Sequence, residues 1–498
     1  MNRLSQVESQ YSRVRHYCAL PVAICDSRIW LIRLSLSYYY SCHSTCNILL
    51  NFSRNCMLAI STILRAAHPN PHSRIPFTQL RALQLRRAKP RIIRLQHRMF
   101  TNGVKRKANE AADAPSKKVR KNVPGFTDMP NEEKYNIVDR EFYPPEMTNA
   151  RCLQYKNNEL ERPIDTLGKA QKETESGREN IKVKDAVVHW FKTDLRTHDN
   201  KSLHLASEKA KSKGVPLICL HILSPQDYKA HMTSSVRVDF VLRTLEVLKE
   251  DLAKLDIPLY VETIEKRKTI PGRILELCEK WGASHLFANI EYEVDELRRE
   301  AKMVRMGVEK GIAFTVVPDT CVVAPGELQS QTGNQYAVYS PWFRAWVAYL
   351  HSHPKQLDLF HPPGKNPEGA RNKLKDLFIS QIPEAPENKR LTDEEKKRFR
   401  SMWPPGEHEA HERLDKFLKT KAGNYKDNRN YPAANSTAVL SVHFAAGTLA
   451  ARTAIARARD SNTTKKLDGG NLGIVCWISE VAWRDFYKHV LAHWPFIW

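Results

Sequence analysis

Between residues 186 and 318, short apolar runs alternate with longer stretches in which apolar residues recur every three or four positions. The first pattern predicts buried β-strands and the second predicts amphipathic helices. The predicted strands are Ala186–Phe191, Val215–Leu223, Leu259–Glu262, His285–Ile290 and Ala313–Pro318. The predicted helices are Ser202–Lys213, Ser235–Leu255, Pro271–Trp281 and Glu291–Lys310. Because parallel strands are joined by helical crossovers, this order predicts an α/β domain with a parallel sheet covered on both faces.

Composition changes on both sides of this domain, which we bound at residues 183–320. Residues 99–182 hold a basic tail followed by a polar linker that contains several prolines. Residues 321–406 are rich in prolines and charges and are interpreted as an interdomain linker. From residue 407 onward the helical spacing of apolar residues resumes, so residues 407–498 predict the beginning of an all-α domain.

The net charge of +23 lies mostly in the first 125 residues, which contain 22 Lys+Arg and 4 Asp+Glu. The remaining 373 residues carry only +5, so the high pI is weak evidence that the folded part binds nucleic acid. Residues 1–98 form a leader rich in Arg and Ser and poor in acidic residues, the composition of a mitochondrial transit segment. The alternative for the leader is upstream sequence translated in error, with Met99 as the working start.

Two basic clusters follow Met99: Lys105-Arg106 and, after ten residues, Lys117-Lys118-Val119-Arg120-Lys121. This spacing is typical of a bipartite nuclear-import signal, which predicts an import receptor as a partner and the nucleus as the main location. The leader adds the mitochondrion as a second predicted location. The alternative for the two clusters is a solvated basic tail.

Three classes of protein are disfavoured by the sequence. The ten cysteines show no spacing of a zinc site or a disulfide framework, which predicts a reducing compartment and no metal site. No apolar run reaches the ~18 residues that a membrane span requires. No Gly-x-Gly-x-x-Gly or Walker sequence follows the first strand, which argues against an ordinary dinucleotide or nucleoside triphosphate site.

A helical stripe near the end of the chain combines large aromatic side chains with a carboxylate and a guanidinium. Its members are Trp477, Glu480, Trp483, Arg484 and Tyr487. Such a surface suits the stacking of flat rings and hydrogen bonding to their edges. The alternative is a half-buried helix with one salt bridge.

A second candidate site lies at a predicted helix start after residue 434. Asn435, Ser436 and Thr437 are good N-cap residues, and a helix start exposes unpaired N–H groups that favour a phosphate. The alternative is a plain capped helix.

Three groups of motifs, in the same order, resemble the DNA photolyase/cryptochrome family, and the resemblance covers about residues 186–498. They are Trp190-Phe191-Lys192-Thr193-Asp194-Leu195-Arg196-Thr197-His198-Asp199-Asn200, the pair Tyr425 and Thr437, in which Tyr425 stands twelve positions before Thr437, and the run Trp477 to Tyr487. The segment Tyr339-Ser340-Pro341-Trp342-Phe343 resembles the family's aromatic connection. The run Trp483-Arg484-Asp485-Phe486-Tyr487 is most similar to class I cyclobutane pyrimidine dimer photolyases.

The resemblance implies that residues 183–320 are a Rossmann-like antenna domain and that residues 407–498 are the N-terminal part of an FAD-binding domain. The implied FAD contacts are Tyr425, Thr437, Leu440, Ser441, Trp477, Glu480, Arg484 and Tyr487, together with the backbone of Ala438 and Val439, which replace the family's usual Ser and Arg. Asp295 and Glu296 are implied to contact a methenyltetrahydrofolate antenna. The alternative for these two acids is a solvated first turn of a helix.

The implied activity is light-driven splitting of cyclobutane pyrimidine dimers by an electron from reduced FAD. In that mechanism Glu480 would hydrogen-bond the dimer and Trp483 would stack on it. The implied DNA contacts are Arg429, Glu480, Trp483, Arg484 and Tyr487, and the predicted protein is a monomer. A cryptochrome-like photoreceptor and an inactive fragment are the alternatives. In the family most of the flavin domain follows the position of Trp498, so the resemblance also implies a C-terminally truncated chain.

Overall fold

The computed structural model describes residues 149–497, apart from residue 432. The leader and the basic clusters of residues 105–121 therefore lie outside the described residues. Five parallel strands form one sheet: β1 Ala186–Phe191, β2 Leu217–Leu223, β3 Leu259–Thr263, β4 Ala283–Asn289 and β5 Ala313–Val317. Each predicted strand is present with its ends shifted by no more than two residues, and the predicted α/β class is confirmed.

The strand order is β3-β2-β1-β4-β5. Strand β1 lies between β2 and β4, with Val188 opposite Ile218 on one side and Leu286 on the other. Strands β2 and β3 are thus added on one side of β1, and β4 and β5 on the other side. The order in which successive strands are added therefore changes direction at the boundary between β1 and β4. In sheets of this kind ligands bind outside the carboxyl ends of the strands at such a reversal.

Helices are the other regular elements of the described chain. Those up to the last strand are α1 Asn149–Lys156, α2 Pro163–Glu173, α3 Glu175–Asn180, α4 Lys201–Lys213, α5 Pro225–Ala230, α6 Ser235–Ala253, α7 Ile270–Lys280 and α8 Val294–Glu309. Those after it are α9 Tyr339–Ser352, α10 Ala370–Lys373, α11 Lys375–Phe378, α12 Asp393–Met402, α13 Glu407–Thr420, α14 Tyr425–Asn428, α15 Ser441–Ala446, α16 Ala451–Ser461 and α17 Leu472–His493. No helix among the described residues is long and apolar enough to cross a membrane.

Both faces of the sheet are buried. Along β1, Val188 and Trp190 belong to one hydrophobic core, whereas Val187 and Phe191 belong to a second core on the opposite face. This alternation follows from the two-residue period of a strand, and burial on both faces explains why β1 reads as an almost continuous apolar run.

A third core lies among the helices after β5 and includes part of the predicted interdomain linker, residues 321–406. Trp342 and Trp346 of α9 are fully buried there and pack with residues of α17 such as Phe486. In the segment before the sheet domain, Leu167 of α2 is buried in a core of the sheet, and α2 packs against α8. Segments rich in proline and charge thus contain helices whose apolar faces belong to the cores.

The loop after β1 connects the sheet domain to the helical region through buried charges. Arg452 of α16 donates from Nε to Asp199 Oδ1 at 2.8 Å and from Nη2 to Asp319 Oδ1 at 2.6 Å. Arg196 pairs with the same Asp319 and donates to the carbonyl oxygen of Gly447 at 3.0 Å. We call these residues the charge clasp: Arg196, Asp199, Asp319 and Arg452. The sequence motif that follows β1 therefore has a structural role.

A second polar contact links the same loop to α13. Glu407 accepts hydrogen bonds from the backbone N–H groups of Thr197 and His198 at 2.9 and 3.1 Å, and its Oε1 lies 3.2 Å from His198 Nδ1. Burial opposes ionisation of Glu407, but the bonds from His198 and Thr197 prevail and lower its pKa to about 2. The bond to Glu407 in turn raises the pKa of His198.

This pair predicts a pH-dependent contribution to stability. The pKa of His198 is higher in the folded protein than its unfolded value of about 6.5. Protonated His198 therefore stabilises the folded protein at pH values below 6.5, and this contribution is lost as the pH rises through the folded-state pKa. We expect His198→Gln to reduce the free energy of unfolding most near pH 6 and progressively less at higher pH. Urea unfolding of both proteins across this pH range measures the difference, and a constant difference would contradict the prediction.

Candidate functional site

The predicted aromatic stripe lies on α17, a long helix that begins with the Asn471 side chain accepting from the N–H groups of Gly473 and Ile474. The helix distributes the stripe between the core and the surface. Trp477 is buried, Trp483 is half-buried, and Tyr487 is exposed over 60% of its surface. One end of the stripe therefore supports the core, and the other end is available to a ligand.

Trp483 is held by an aromatic residue to which the sequence analysis assigned no site role. The ring of Tyr339 stacks on Trp483 with ring centroids 3.5 Å apart and an angle of 8°. The Tyr339 hydroxyl donates to the carbonyl oxygen of Ser479 at 2.7 Å. Tyr487 stacks on Trp483 at 5.5 Å and 28°. The aromatic segment that Tyr339 begins was a sequence signal for a site role of this residue. Its contact with Trp483 could not be predicted, because α9 and α17 are far apart in the sequence.

Glu480 and Arg429, both predicted to contact DNA, form an ion pair with each other. Tyr425 lies close enough for the charge of Glu480 to act on it: burial, with Glu480 as a secondary cause, raises the pKa of Tyr425 to about 12. Phe417 contacts the rings of both Tyr425 and Trp477, at 5.7 and 5.1 Å. The structure therefore brings together four of the predicted site residues: Tyr425, Arg429, Trp477 and Glu480.

The predicted helix cap at residues 435–437 is wrong. The helix that follows is the short α15, its N-cap position is Leu440, and no side chain caps it. Ser436 is buried and donates to the carbonyl oxygen of Asn428 at 2.9 Å, because the chain folds back on α14 at this point. Thr437 and Val439 are exposed, and Val439 has a φ of 52°. Leu440 belongs to the helical core, and Ala438 packs against it.

A cavity of 620 Å³ opens at the carboxyl ends of β1, β2 and β4, where the chain reverses its direction across the sheet. Its walls come from the sheet domain and from the helices after it. Two predicted flavin contacts, Ser441 and Arg484, line this cavity, whereas Tyr425, Trp477 and Glu480 do not. Arg484 is also fixed to the sheet domain, because it donates to the carbonyl oxygen of Thr320. The predicted flavin residues thus form two groups.

Of the two predicted antenna residues, only Glu296 lines the cavity. Its side chain is nearly buried, its Oε1 lies 3.3 Å from His231 Nε2, and its Oε2 has no hydrogen-bond partner among the described residues. Burial raises the pKa of Glu296. Asp295 is instead engaged by Arg267, which also pairs with Asp227.

The inner wall of the cavity carries charges held in a buried network. Lys192 pairs with Glu300 and lies 3.7 Å from Glu291. Burial opposes the ionisation of Glu291, but Lys192 and Arg299 outweigh it and lower its pKa to about 2. Two lining groups, Nε of Arg299 and Oε2 of Glu296, have no hydrogen-bond partner within the described part of the chain. Buried polar groups of this kind are usually satisfied, so the wall can bind a flat ligand that has both donors and acceptors on its edge.

Comparison with known proteins gives consistent results. Residues 187–362 match the family model for DNA photolyase. The deoxyribodipyrimidine photo-lyase of Neurospora crassa is 61% identical over 371 residues, which cover 74% of this chain and 60% of that protein. The mitochondrial deoxyribodipyrimidine photo-lyase of Saccharomyces cerevisiae is 28% identical over 398 residues, which cover 73% of this chain and 66% of that protein.

A class III photolyase from Agrobacterium tumefaciens shares the fold, with a TM-score of 0.50 and 22% identity over 62% of this chain and 59% of that one. The chain thus spans about 60% of the length of the Neurospora protein. The sequence matches thus identify a DNA photolyase domain at residues 187–362 of this chain, which is similar over 371 residues to a deoxyribodipyrimidine photo-lyase.

Proposed function

We propose that this chain acts in light-dependent DNA repair as a deoxyribodipyrimidine photo-lyase that splits cyclobutane pyrimidine dimers. The observation that carries the proposal is the 61% identity over 371 residues to the Neurospora enzyme of that name. The named relatives favour repair over the photoreceptor alternative.

FAD is the proposed cofactor, and in its reduced form it would supply the one-electron chemistry. The residues of this chain suit binding and orientation. Glu480 presents a carboxylate that Arg429 holds at the surface, and a carboxylate can accept hydrogen bonds from the N–H edges of pyrimidines. Trp483, held by Tyr339, offers a fixed aromatic ring beside the exposed Tyr487. Arg429, Arg484 and Tyr487 complete the proposed DNA contacts.

The cavity at the edge of the sheet is the proposed site of a methenyltetrahydrofolate antenna. Glu296 supports this assignment because its unpartnered Oε2 can accept from an N–H group of a pterin ring. Asp295 would act indirectly, through its ion pair with Arg267. Ser441 and Arg484 connect the cavity wall to the helices that carry the other proposed flavin contacts.

A chimera tests the proposed function directly. The corresponding part of the Neurospora enzyme is replaced by the homologous part of this chain, which includes α17, and loss of dimers from irradiated DNA is measured under blue light. We expect repair by the chimera and reduced repair with retained FAD in its Glu480→Ala variant.

We expect Trp483→Ala to weaken binding of dimer-containing DNA by about 1–3 kcal/mol, the usual contribution of a stacked base.

The control is Trp281→Phe, a substitution in the sheet domain away from α17. A folded chimera that binds FAD but does not repair dimers would contradict the proposed function. Unchanged repair by the Glu480→Ala variant would remove only that residue from the mechanism.

We also propose nuclear import through the basic clusters, with the mitochondrion as a second location. The support is the spacing of the two clusters and the Arg-rich leader. A fluorescent fusion that begins at Met99 is expected to accumulate in nuclei, and neutralising Lys117, Lys118, Arg120 and Lys121 is expected to release it into the cytoplasm. Nuclear retention of the neutralised form would show that these clusters are not the signal.

A further inference from the structure

A continuous series of oxidisable rings runs from the surface into the helical core. Starting at the exposed Tyr487, the centroid distances between successive rings are 5.5, 3.5, 5.8 and 6.1 Å. We call this series the ring path; its members in order are Tyr487, Trp483, Tyr339, Trp342 and Trp346. Indole and phenol are among the side chains that lose an electron most easily, and neighbouring rings of the path are close enough for electron exchange.

The inner end of the ring path differs from the rest because a carboxylate lies beside it. Nε1 of Trp346 donates to Asp485 Oδ2 at 3.2 Å, and the same oxygen accepts from the N–H groups of Val322 and Val323. Asp485 Oδ1 has no hydrogen-bond partner among the described residues. A buried anion in such low-dielectric surroundings stabilises a positive charge on the adjacent ring strongly.

The neighbouring indole has a weaker partner. Nε1 of Trp342 lies 3.4 Å from His489 Nδ1, and burial lowers the pKa of His489 to about 4, so this imidazole is neutral near pH 7. Burial raises the pKa of Asp485 only to about 6, so its carboxylate is largely ionised at the same pH. The electrostatic difference favours a positive charge on Trp346 over one on Trp342.

We propose that the ring path moves an oxidising equivalent from the exposed end of α17 to Trp346, where Asp485 accepts the indole proton. A one-electron oxidant removes an electron at Tyr487 or Trp483. Electrons then pass outward from Tyr339, Trp342 and Trp346 in turn, and Trp346 transfers its Nε1 proton to Oδ2 of Asp485.

The products are a neutral indolyl radical, a protonated carboxylic acid and the reduced oxidant, so electrons and protons balance. A soluble thiol then loses one electron and its own proton and becomes a thiyl radical. Its electron returns through the same rings and restores Trp346 when Asp485 gives the indole proton back. This role goes beyond the proposed repair function and does not depend on it. It would remove oxidising equivalents from the surface at which that function is proposed.

The test uses the whole chain with a photo-oxidised ruthenium tris(bipyridyl) complex as the one-electron oxidant. Transient absorption and electron paramagnetic resonance follow the radicals after a laser flash. In the unchanged protein we expect a long-lived neutral indolyl radical. In Trp346→Phe we expect this signal to fall to the background measured without oxidant. In Asp485→Asn we expect an indole cation radical in place of the neutral one, which a purely structural role of Asp485 would not produce.

Two further variants separate electron transfer from packing. Tyr339→Phe keeps an aromatic ring on Trp483 but removes the easily oxidised phenol, whereas Tyr339→Leu removes the ring as well. We expect both to delay the appearance of the indolyl radical. Trp281→Phe, outside the ring path, should leave yield and lifetime unchanged. Equal radical yields in Trp346→Phe and the unchanged protein would overturn the proposal, as would an equal loss in the Trp281→Phe control. If Trp346→Phe does not fold, an unchanged rate in a folded Tyr339→Phe protein would overturn it.

Discussion

Arg452→Met is expected to lower the free energy of unfolding by about 3–5 kcal/mol, the typical cost of leaving a buried charge without its partner. Within the charge clasp, Arg452 donates to the carboxylates of both Asp199 and Asp319. Arg196 donates to the carboxylate of Asp319 but reaches Asp199 only at its backbone carbonyl oxygen. Both carboxylates are almost completely buried. After the substitution Asp319 keeps its pair with Arg196, but Asp199 is left with hydrogen bonds from the Phe360 N–H and the Thr453 hydroxyl.

Arg457→Met is the matched control on the same helix. Arg457 pairs with Asp415 at 2.9 Å, and the two side chains are 36% and 49% exposed. Exposed pairs contribute about 0–1 kcal/mol, so we expect little change. Chemical denaturation of the three proteins measures the difference. Similar losses for both variants would show that burial of the charge clasp does not determine its contribution.

Gly447→Ala is expected to cost about 4 kcal/mol or more, the range reached only by severe structural conflicts. Gly447 ends α15 in the left-handed region, with φ 74° and ψ 19°. An added Cβ would overlap the carbonyl oxygen of Thr193 and Cα of Asp194 in the loop after β1. Neither neighbour can move freely, because both atoms belong to the backbone and Leu195 bonds to the carbonyl oxygen of Ala446.

Gly214→Ala separates this overlap from the conformational cost. Gly214 ends α4 with almost the same backbone angles, φ 64° and ψ 25°, but an added Cβ would meet nothing within 4 Å. Only the left-handed conformation is then unfavourable, at about 1–2 kcal/mol. Thermal or urea unfolding of both variants gives the comparison, and equal losses would disprove the close approach of the two backbones at Gly447.

The sheet domain could be predicted from sequence because its signals are local. The strands are short apolar runs buried on both faces, and their ends were predicted to within two residues. The buried positions of Trp342 and Trp346 could not be predicted in the same way. Their segment is rich in proline and charge, which is typical of a linker. The apolar face of α9 is buried because α17 packs against it, and this tertiary contact is not visible in the local sequence.

The candidate site was predictable in its residue types but not in its pairings. The stripe on α17 follows from helical spacing, yet the ion pair of Arg429 with Glu480 and the stacking of Tyr339 on Trp483 join residues distant in sequence. The predicted cap at residues 435–437 failed because Ser436 turns toward α14. The split of the flavin residues between two surfaces is likewise a tertiary feature, since Ser441 and Arg484 meet the sheet domain and Tyr425 does not.

The charge clasp also has a consequence for synthesis on the ribosome. Asp199 and Arg452 are separated by 253 residues. At the usual elongation rate of about 5–20 residues per second, Arg452 is added roughly 13–50 s after Asp199. During that interval a sheet domain that has already left the ribosome has no Arg452 with which to neutralise Asp199. Final closure around this carboxylate must therefore wait for α16, so the nascent sheet domain passes through an incompletely stabilised stage whatever the speed of its own strand pairing.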